Sequence, residues 1–257
     1  MSTGGRRSGE AMDKMKQFRV VTYNVHKCRG LDRRVRPARI VDVLREINAD
    51  IIALQEVVCI EGRTPEENQA HFIATALGLD YRLGETRRHK GGAYGNVILS
   101  RLPIISTRSY DLSQPGREER GCIRADLEVH KSLTLHFYNI HLGTAYLERR
   151  RQARQLLDGD MLKNPGSTGM RIVLGDFNEW TRGLTTKLLS RHFESVDARL
   201  HLGRSRTYPG IMPFLHLDHV YFDTTLKLKG AALHRSRTAL IASDHLPIIA
   251  DFLLGDA

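Results

Sequence analysis

Short β-rich runs that each close on an acid, an amide or an imidazole are the feature that most restricts the fold of this chain. Arg171-Ile172-Val173-Leu174 runs into Gly175-Asp176-Phe177-Asn178, and Ser243-Asp244-His245 opens a further strand near the end. Four more runs finish alike: Phe18 to Tyr23 on Asn24, Ile51 to Gln55 on Glu56, Leu133 to Ile140 on His141, and Phe214 to Leu217 on Asp218. A strand needs no such group to fold, and burying one unpaired costs several kcal/mol. Each has an ordinary reading on its own. Asn24 suits a turn, Glu56 a surface charge, His141 a hydrogen-bonded core position and Asp218 an ion pair. Six together point instead to one site at strand ends.

Between the runs, helical periodicity alternates with strands. Ile40, Val43, Leu44 and Ile47 after Pro37 predict an amphipathic helix between the Asn24 and Glu56 strands. Thr64-Pro65-Glu66-Glu67 has the form of a capping box, predicting a second helix that starts there and buries Phe72, Ile73, Ala76 and Leu77. Strands are expected near 95–100, 104–110, 121–129 and 133–140, then a helix carrying Tyr146, Ala153, Leu156, Leu157 and Met161. Residues 1–16 lack apolar periodicity and are expected to form a disordered tail, leaving 17–257 as one domain. No repeat, dinucleotide fingerprint or P-loop is present.

The ordered set Thr22-Tyr23-Asn24-Val25-His26, Leu54-Gln55-Glu56-Val57, Gly95-Asn96-Val97-Ile98-Leu99-Ser100-Arg101, Asn139-Ile140-His141-Leu142, Gly175-Asp176-Phe177-Asn178, Leu217-Asp218-His219-Val220 and Ser243-Asp244-His245-Leu246-Pro247 resembles the endonuclease/exonuclease/phosphatase (DNase I-like) superfamily. The opening and the Gly-Asp-Phe-Asn-Glu-Trp stretch look like a bacterial branch of small stand-alone hydrolases. The resemblance implies a four-layer α/β sandwich, two packed mixed sheets flanked by helices, with the site at one end. It also implies a divalent-metal-dependent phosphoesterase. His216 and His219 stand where relatives often carry arginine or tyrosine, which bears on substrate contacts more than on hydrolysis.

Phosphate-ester hydrolysis needs charge neutralised on phosphoryl oxygens, an in-line water and a stabilised leaving oxygen. Magnesium, or manganese, prefers oxygen ligands, so Glu56 is the first candidate, with Asn24 and Asp244 assisting. The resemblance implies that Asp176 and Asn178 flank the attacking water, that Asp244 orients His245, and that His141 donates to a phosphoryl oxygen. Asp218 is expected to position a histidine. Either Asp176 or His245 serves as general base, Asp176 being the preferred reading.

A formal net charge of +10 favours a polyanionic partner. Arg33 and Arg34, and Arg87 and Arg88, fall in clusters beside predicted strand ends, and Asn96 in a glycine-rich segment offers a donor to phosphate. Arg149, Arg150, Arg151 and Arg154 read as a solvated helix face. Trp180 either stacks on a base or sugar or buttresses the Asp176 loop. These features favour a nuclease, endo- or exonucleolytic, on DNA or RNA. The alternative is a phospholipid or phosphoinositide phosphoesterase binding an anionic headgroup, with Ile211 to Leu215 either a short wedge or, the preferred reading, a segment that enters the core. Cys28, Cys59 and Cys122, odd in number and without metal-site spacing, favour reduced thiols. With no long apolar run, the expected location is cytoplasmic.

Overall fold

The computed structural model describes residues 17–61, 64, 66–130, 133–158, 161–162, 169–179, 183–196, 207–209 and 215–254. The predicted 1–16 tail, Trp180 and 211–214 of the predicted wedge lie outside the described residues. The strands are β1 (Gln17–Asn24), β2 (Ile51–Cys59), β3 (Asp80–His89), β4 (Gly92–Ser100), β5 (Ile104–Asp111) and β6 (Gly121–His130), then β7 (Leu133–His141), β8 (Met170–Asp176), β9 (Glu194–Ser195), β10 (Asp218–Phe222), β11 (Leu226–Leu233) and β12 (Ile248–Leu254). The helices are α1 (Pro37–Ile47), α2 (Gln69–Leu77), α3 (Tyr146–Asp158), α4 (Leu184–Leu189) and α5 (Ala239–Ala242).

The strands form two six-stranded sheets, ordered β11-β12-β1-β2-β4-β3 and β5-β6-β7-β8-β10-β9. Side chains alternate faces along a strand, and that alternation sorts the core into layers. Phe18, Val20, Ile51 and Ala53 of the first sheet meet Phe137, Ile172, Leu174, Val220 and Phe222 of the second. The intervening residues Val21, Tyr23, Ile52 and Leu54 pack against Ile40, Val43, Leu44 and Ile47 of α1 and Ile73 of α2. Tyr138, Ile140 and Val173 likewise face Leu156 and Leu157 of α3. The result is the four-layer α/β sandwich of two mixed sheets flanked by helices. Burying each large apolar side chain contributes roughly 1.5–3 kcal/mol.

The first predicted helix begins at Pro37 and ends on Asn48 in the left-handed conformation, φ 52°. The second begins at Gln69, five residues after Thr64, because Asn68 bridges to Cys59 and Glu67 accepts from the Ile60 N–H. Pairing with the end of β2 outcompetes the local capping signal. In α3, Ala153, Leu156 and Leu157 are buried and Tyr146 is exposed, while Met161, expected on this helix, lies past its end at Asp158. Glu148 and Arg149 take the inward side of that first turn. Arg149 is therefore not part of a solvated face; its guanidinium donates to the Gly143 and Thr144 carbonyls.

Toward one end the inter-sheet core changes from apolar to polar. Gln55 Nε2 donates to Asn139 Oδ1 at 2.7 Å and to Thr22 Oγ1 at 3.1 Å. Asn139 Nδ2 returns across the gap to the Leu54 and Val97 carbonyls, both at 2.9 Å. Asn96 crosses in the opposite direction, donating to the Gly121 carbonyl at 2.9 Å. These side chains are buried, so the hydrogen bonds staple the sheets together directly below the strand ends.

Candidate active site

The register that builds the second sheet also aligns its reactive groups. Asp218 on β10 pairs with Asp176 on β8, and Asp176 pairs with His141 on β7. All three share the strand parity of the inward-facing residues Val220, Leu174 and Phe137, so they continue the inner face where it turns polar. Gly175 permits the close approach of β8 to β7: its φ is +141°, and a Cβ there would lie 1.9 Å from the Ile140 carbonyl oxygen.

His245 reaches this row from the loop before β12. Ser243 Oγ donates to the Asn24 carbonyl at 2.8 Å, tying the loop to the end of β1. His245 Nδ1 lies 2.9 Å from Asp218 Oδ2, while its Nε2 is 3.7 Å from Asp176 Oδ2. Asp176 also lies 3.6 Å from His141 Nε2, and it accepts from Asn24 Nδ2 at 3.0 Å and the Asn178 N–H at 2.9 Å. Burial raises the Asp176 carboxyl to about 6, reinforced by the Asp218 charge and opposed by His245. Burial works against charging His245, but Asp218 and Asp176 outweigh it and raise the ring to about 10. His141 is lowered to about 3 by burial and by Arg120. Near neutral pH the row thus holds an ionised Asp176, a protonated His245 and a neutral His141.

Asp218, not Asp244, orients His245. Asp244 Oδ2 instead lies 3.3 Å from His26 Nδ1 and holds that ring's pKa up. The chain bends at Asp244 and His245, and the two side chains serve different partners.

On the facing sheet, Glu56 sits in a bulge of β2 at φ +61°, a left-handed conformation that costs a non-glycine residue roughly 1–3 kcal/mol. The bend aims its carboxylate at Asn24 Nδ2, 3.3 Å away, and at Lys27 Nζ, 3.2 Å away. Burial opposes its ionisation, but His141, Lys27 and the Asn24 amide outweigh that and hold it at about 2. With His141 neutral, Lys27 and Asn24 are the lasting contributors. Lys27 is fixed in turn by Gln69, whose Nε2 donates to the Lys27 carbonyl at 2.8 Å and whose Oε1 accepts from the Val58 N–H at 3.1 Å.

A hard divalent cation requires oxygen donors, and the ionised Glu56 with Asp244 nearby fits that demand. Ligand atoms of Asp176, Asp218 and His245 also lie within 4.8 Å of one another. That group suits a cation less well, because a ligating imidazole must be neutral and His245 is held protonated against Asp218. Asn24 presents its NH2 to Glu56 and Asp176, while its Oδ1 accepts from the His26 N–H at 3.0 Å. As placed, it orients carboxylates.

Other predicted residues are distributed unevenly. Asn178 supports Asp176 through its N–H and donates its side-chain amide to the Leu142 carbonyl at 2.9 Å. Asn96 is 1% exposed and donates within the inter-sheet staple, so its NH2 does not reach for substrate. Arg33 and Arg34 are exposed in the turn between β1 and α1, whereas Arg87 pairs with Glu118 at 3.0 Å and Arg88 with Glu85 at 3.2 Å. His219 is buried against Phe177, far from a free surface role, with Nε2 3.2 Å from the Glu179 carbonyl. All three thiols are buried and shifted upward by that burial, which leaves them inert. Two further residues adjoin the site, Tyr208, whose ring centroid is 5.0 Å from that of His245, and the buried Arg120. Neither lies in a periodic run or a strand-end motif.

YbhP of Escherichia coli (strain K12), described as uncharacterized, is 29% identical over 247 residues, covering 92% of this chain and 96% of its own. An endonuclease/exonuclease/phosphatase family protein from Bacteroides thetaiotaomicron superposes with a TM-score of 0.75 at 17% identity, covering 93% of this chain and 98% of that one. The mannosyl-6-phosphatase Bt3783 of the same organism gives 0.71 at 17% identity, covering 92% and 99%. The pattern of the Endonuclease/Exonuclease/phosphatase family itself matches residues 21–245. This chain belongs to the endonuclease/exonuclease/phosphatase family, whose hydrolases act on phosphate esters.

Proposed function

We propose that the protein is a divalent-metal-dependent phosphodiesterase acting on nucleic acid, DNA or RNA. The observation that carries the hydrolytic reading is the buried row Asp218, His245, Asp176 and His141 facing Glu56 across one sandwich end. A cation bound at Glu56, magnesium or manganese, would supply charge neutralisation to the phosphate. Asp176, ionised but with a raised pKa, takes the proton of the attacking water as its oxygen bonds to phosphorus. The bond from phosphorus to the leaving oxygen breaks, and that oxygen is protonated from solvent. His245, held protonated by Asp218, and neutral His141 donate to phosphoryl oxygens as negative charge develops. Asn178 and Asn24 keep the Asp176 carboxylate in one orientation.

The nucleic-acid reading rests on exposed Arg29, Arg33, Arg34 and Arg36 beside the site, in a turn whose Leu31 N–H donates to the Ile241 carbonyl two residues before Ser243. The same turn supports a second reading, a phosphoesterase working on anionic lipid. Leu31, Val35 and Ile241 are exposed apolar side chains among those arginines, a combination that suits a charged membrane surface.

The deciding experiment is a substrate panel of plasmid DNA, single-stranded DNA, RNA, sphingomyelin and phosphoinositide vesicles, with magnesium, manganese or EDTA. Cleavage of DNA or RNA that EDTA and Asp176→Asn both abolish is expected. Replacing Arg33 and Arg34 by glutamine should flatten the salt dependence of nucleic-acid binding. Turnover confined to vesicles would transfer the assignment to the lipid reading, and no turnover of any ester would overturn the hydrolase.

A further inference from the structure

A second cationic cluster lies beside Glu56 and His141, and the mechanism above makes no use of it. Arg87 at the end of β3 and Arg120 just before β6 come from opposite sheets and grip one carboxylate. Arg87 Nη2 is 3.0 Å from Glu118 Oε1, and Arg120 Nη2 is 2.8 Å from Glu118 Oε2. Both arginines have a buried Nε without a hydrogen-bond partner, and Arg120 as a whole is only 6% exposed. A buried guanidinium N–H ordinarily finds an acceptor, so the cluster carries more donor capacity than Glu118 uses. Tyr94 forms its apolar wall, with the Arg87 guanidinium carbon 4.5 Å and Lys27 Nζ 5.4 Å from the ring centroid.

The cluster is joined to the reaction row by the sheet register. Gly121, next to Arg120, pairs with His141, which pairs with Asp176. On the other sheet, Lys27 touches both the Tyr94 ring and Glu56. Two guanidiniums facing a single carboxylate match a dianion better than the monoanion they hold, and Arg forks bind phosphate oxygens bidentately. Glu118, with a side chain 42% exposed, is the most exposed member of the cluster.

We propose that Arg87 and Arg120, walled by Tyr94, form a second phosphate subsite in which Glu118 stands in for a phosphate until substrate displaces it. The preferred substrate then carries a second phosphate besides the one attacked. This rests on reading Asp176 and His245 as the site of the scissile phosphate. It adds Arg120 and Glu118 to the substrate contacts and separates Arg87 from Arg88, which is 78% exposed in its side chain and pairs with Glu85.

The test is calorimetric binding to the whole protein in EDTA, so that turnover does not interfere. One arm compares thymidine 3′,5′-bisphosphate with thymidine 5′-monophosphate, the other inositol 1,4-bisphosphate with inositol 1-phosphate. Wild type should favour the bisphosphate about tenfold in at least one arm, and the arm that responds identifies the source of the second phosphate. Arg87→Gln should collapse that preference while leaving monophosphate affinity unchanged, Arg120→Gln should collapse it as well, and Glu118→Gln should widen it. Because Arg120 is buried, Arg120→Lys and a thermal melt accompany it, and Arg87→Gln judges the subsite independently. Equal affinities in both arms for wild type, or a preference that survives Arg87→Gln, would overturn the subsite. Absence of hydrolysis on every ester would overturn the hydrolase reading alone, because the binding preference is measured without turnover.

Discussion

Two histidines each pair through Nδ1 with a carboxylate of the second sheet, and the two pairs are built for opposite purposes. His136 Nδ1 lies 2.6 Å from Asp126 Oδ1 across β6 and β7, and His245 Nδ1 lies 2.9 Å from Asp218 Oδ2 at the strand ends. Asp126 is saturated: Arg124 donates at 2.6 and 3.0 Å and Ser106 at 2.6 Å. Burial opposes its charge, but His136, Arg124 and Ser106 hold it well below the usual carboxylate range. Asp218 keeps a buried Oδ1 with no partner, and the far nitrogen of its histidine faces a second carboxylate, Asp176. The same two residue types make a lock where an arginine closes the carboxylate. They make a proton-handling pair where a second acid stands opposite.

The sharpest way to break this contrast is at the open pair. Asp176→Asn and His245→Ala should each lower kcat by roughly 10²–10⁴, and the double variant should be little worse because the groups act as a unit. Independent, multiplicative losses in initial-rate measurements would contradict the assignment. Glu56→Gln comes next. It should raise the magnesium concentration for half-maximal activity by about tenfold or more, and an unchanged metal titration would remove Glu56 from the cation site.

Asp218→Asn is expected to cost about 10- to 100-fold in kcat and to move the pH profile. His245 is raised to about 10 by its carboxylates, so its protonated form is lost only at high pH. Removing one carboxylate lowers that pKa, and the alkaline limb should shift toward neutrality. An alkaline limb left in place would show that His245 does not act as the cation. Asp126→Asn should have the smallest effect on rate, within about twofold, while lowering stability by roughly 1–3 kcal/mol in a denaturant titration. A carboxylate with a depressed folded pKa stabilises the fold above its unfolded value and loses that contribution as pH falls. The wild type should therefore weaken more steeply below pH 3.8 than Asp126→Asn does. A large rate loss in Asp126→Asn would erase the distinction between the two pairs.

Much of this was legible in the chain. The runs closing on His141 and Asp176 foretold β7 and β8 and the strand-end position of those two groups, whereas Asp218 opens β10 rather than closing a strand over Phe214 to Leu217, so its place beside Asp176 follows from a pairing that no local run reports. The partner of His245 was not legible. It depends on which way an irregular loop turns, and Asp244 is nearer in sequence while Asp218 is nearer in space. Arg120 and Gln69 were invisible for a related reason: Arg120 matters because Arg87 of the other sheet meets the same Glu118, Gln69 because it joins Lys27 to Val58, and their residue types carry no pattern. The second helix was placed too early because a local cap cannot report that β2 competes for the same backbone.

The amide layer beneath the site has a mechanical meaning. Asn24 and Glu56 belong to one sheet while His141, Asp176 and Asp218 belong to the other, so any shear between sheets would change every distance across the site at once. Packed apolar side chains resist separation but carry little directional preference, whereas the bonds from Gln55 and Asn139 are directional and span the gap. They act as a dowel driven through both plates next to the working edge. Shear at the working edge is thereby resisted, and substrate entry at the proposed subsite requires only that the exposed Glu118 side chain turn aside.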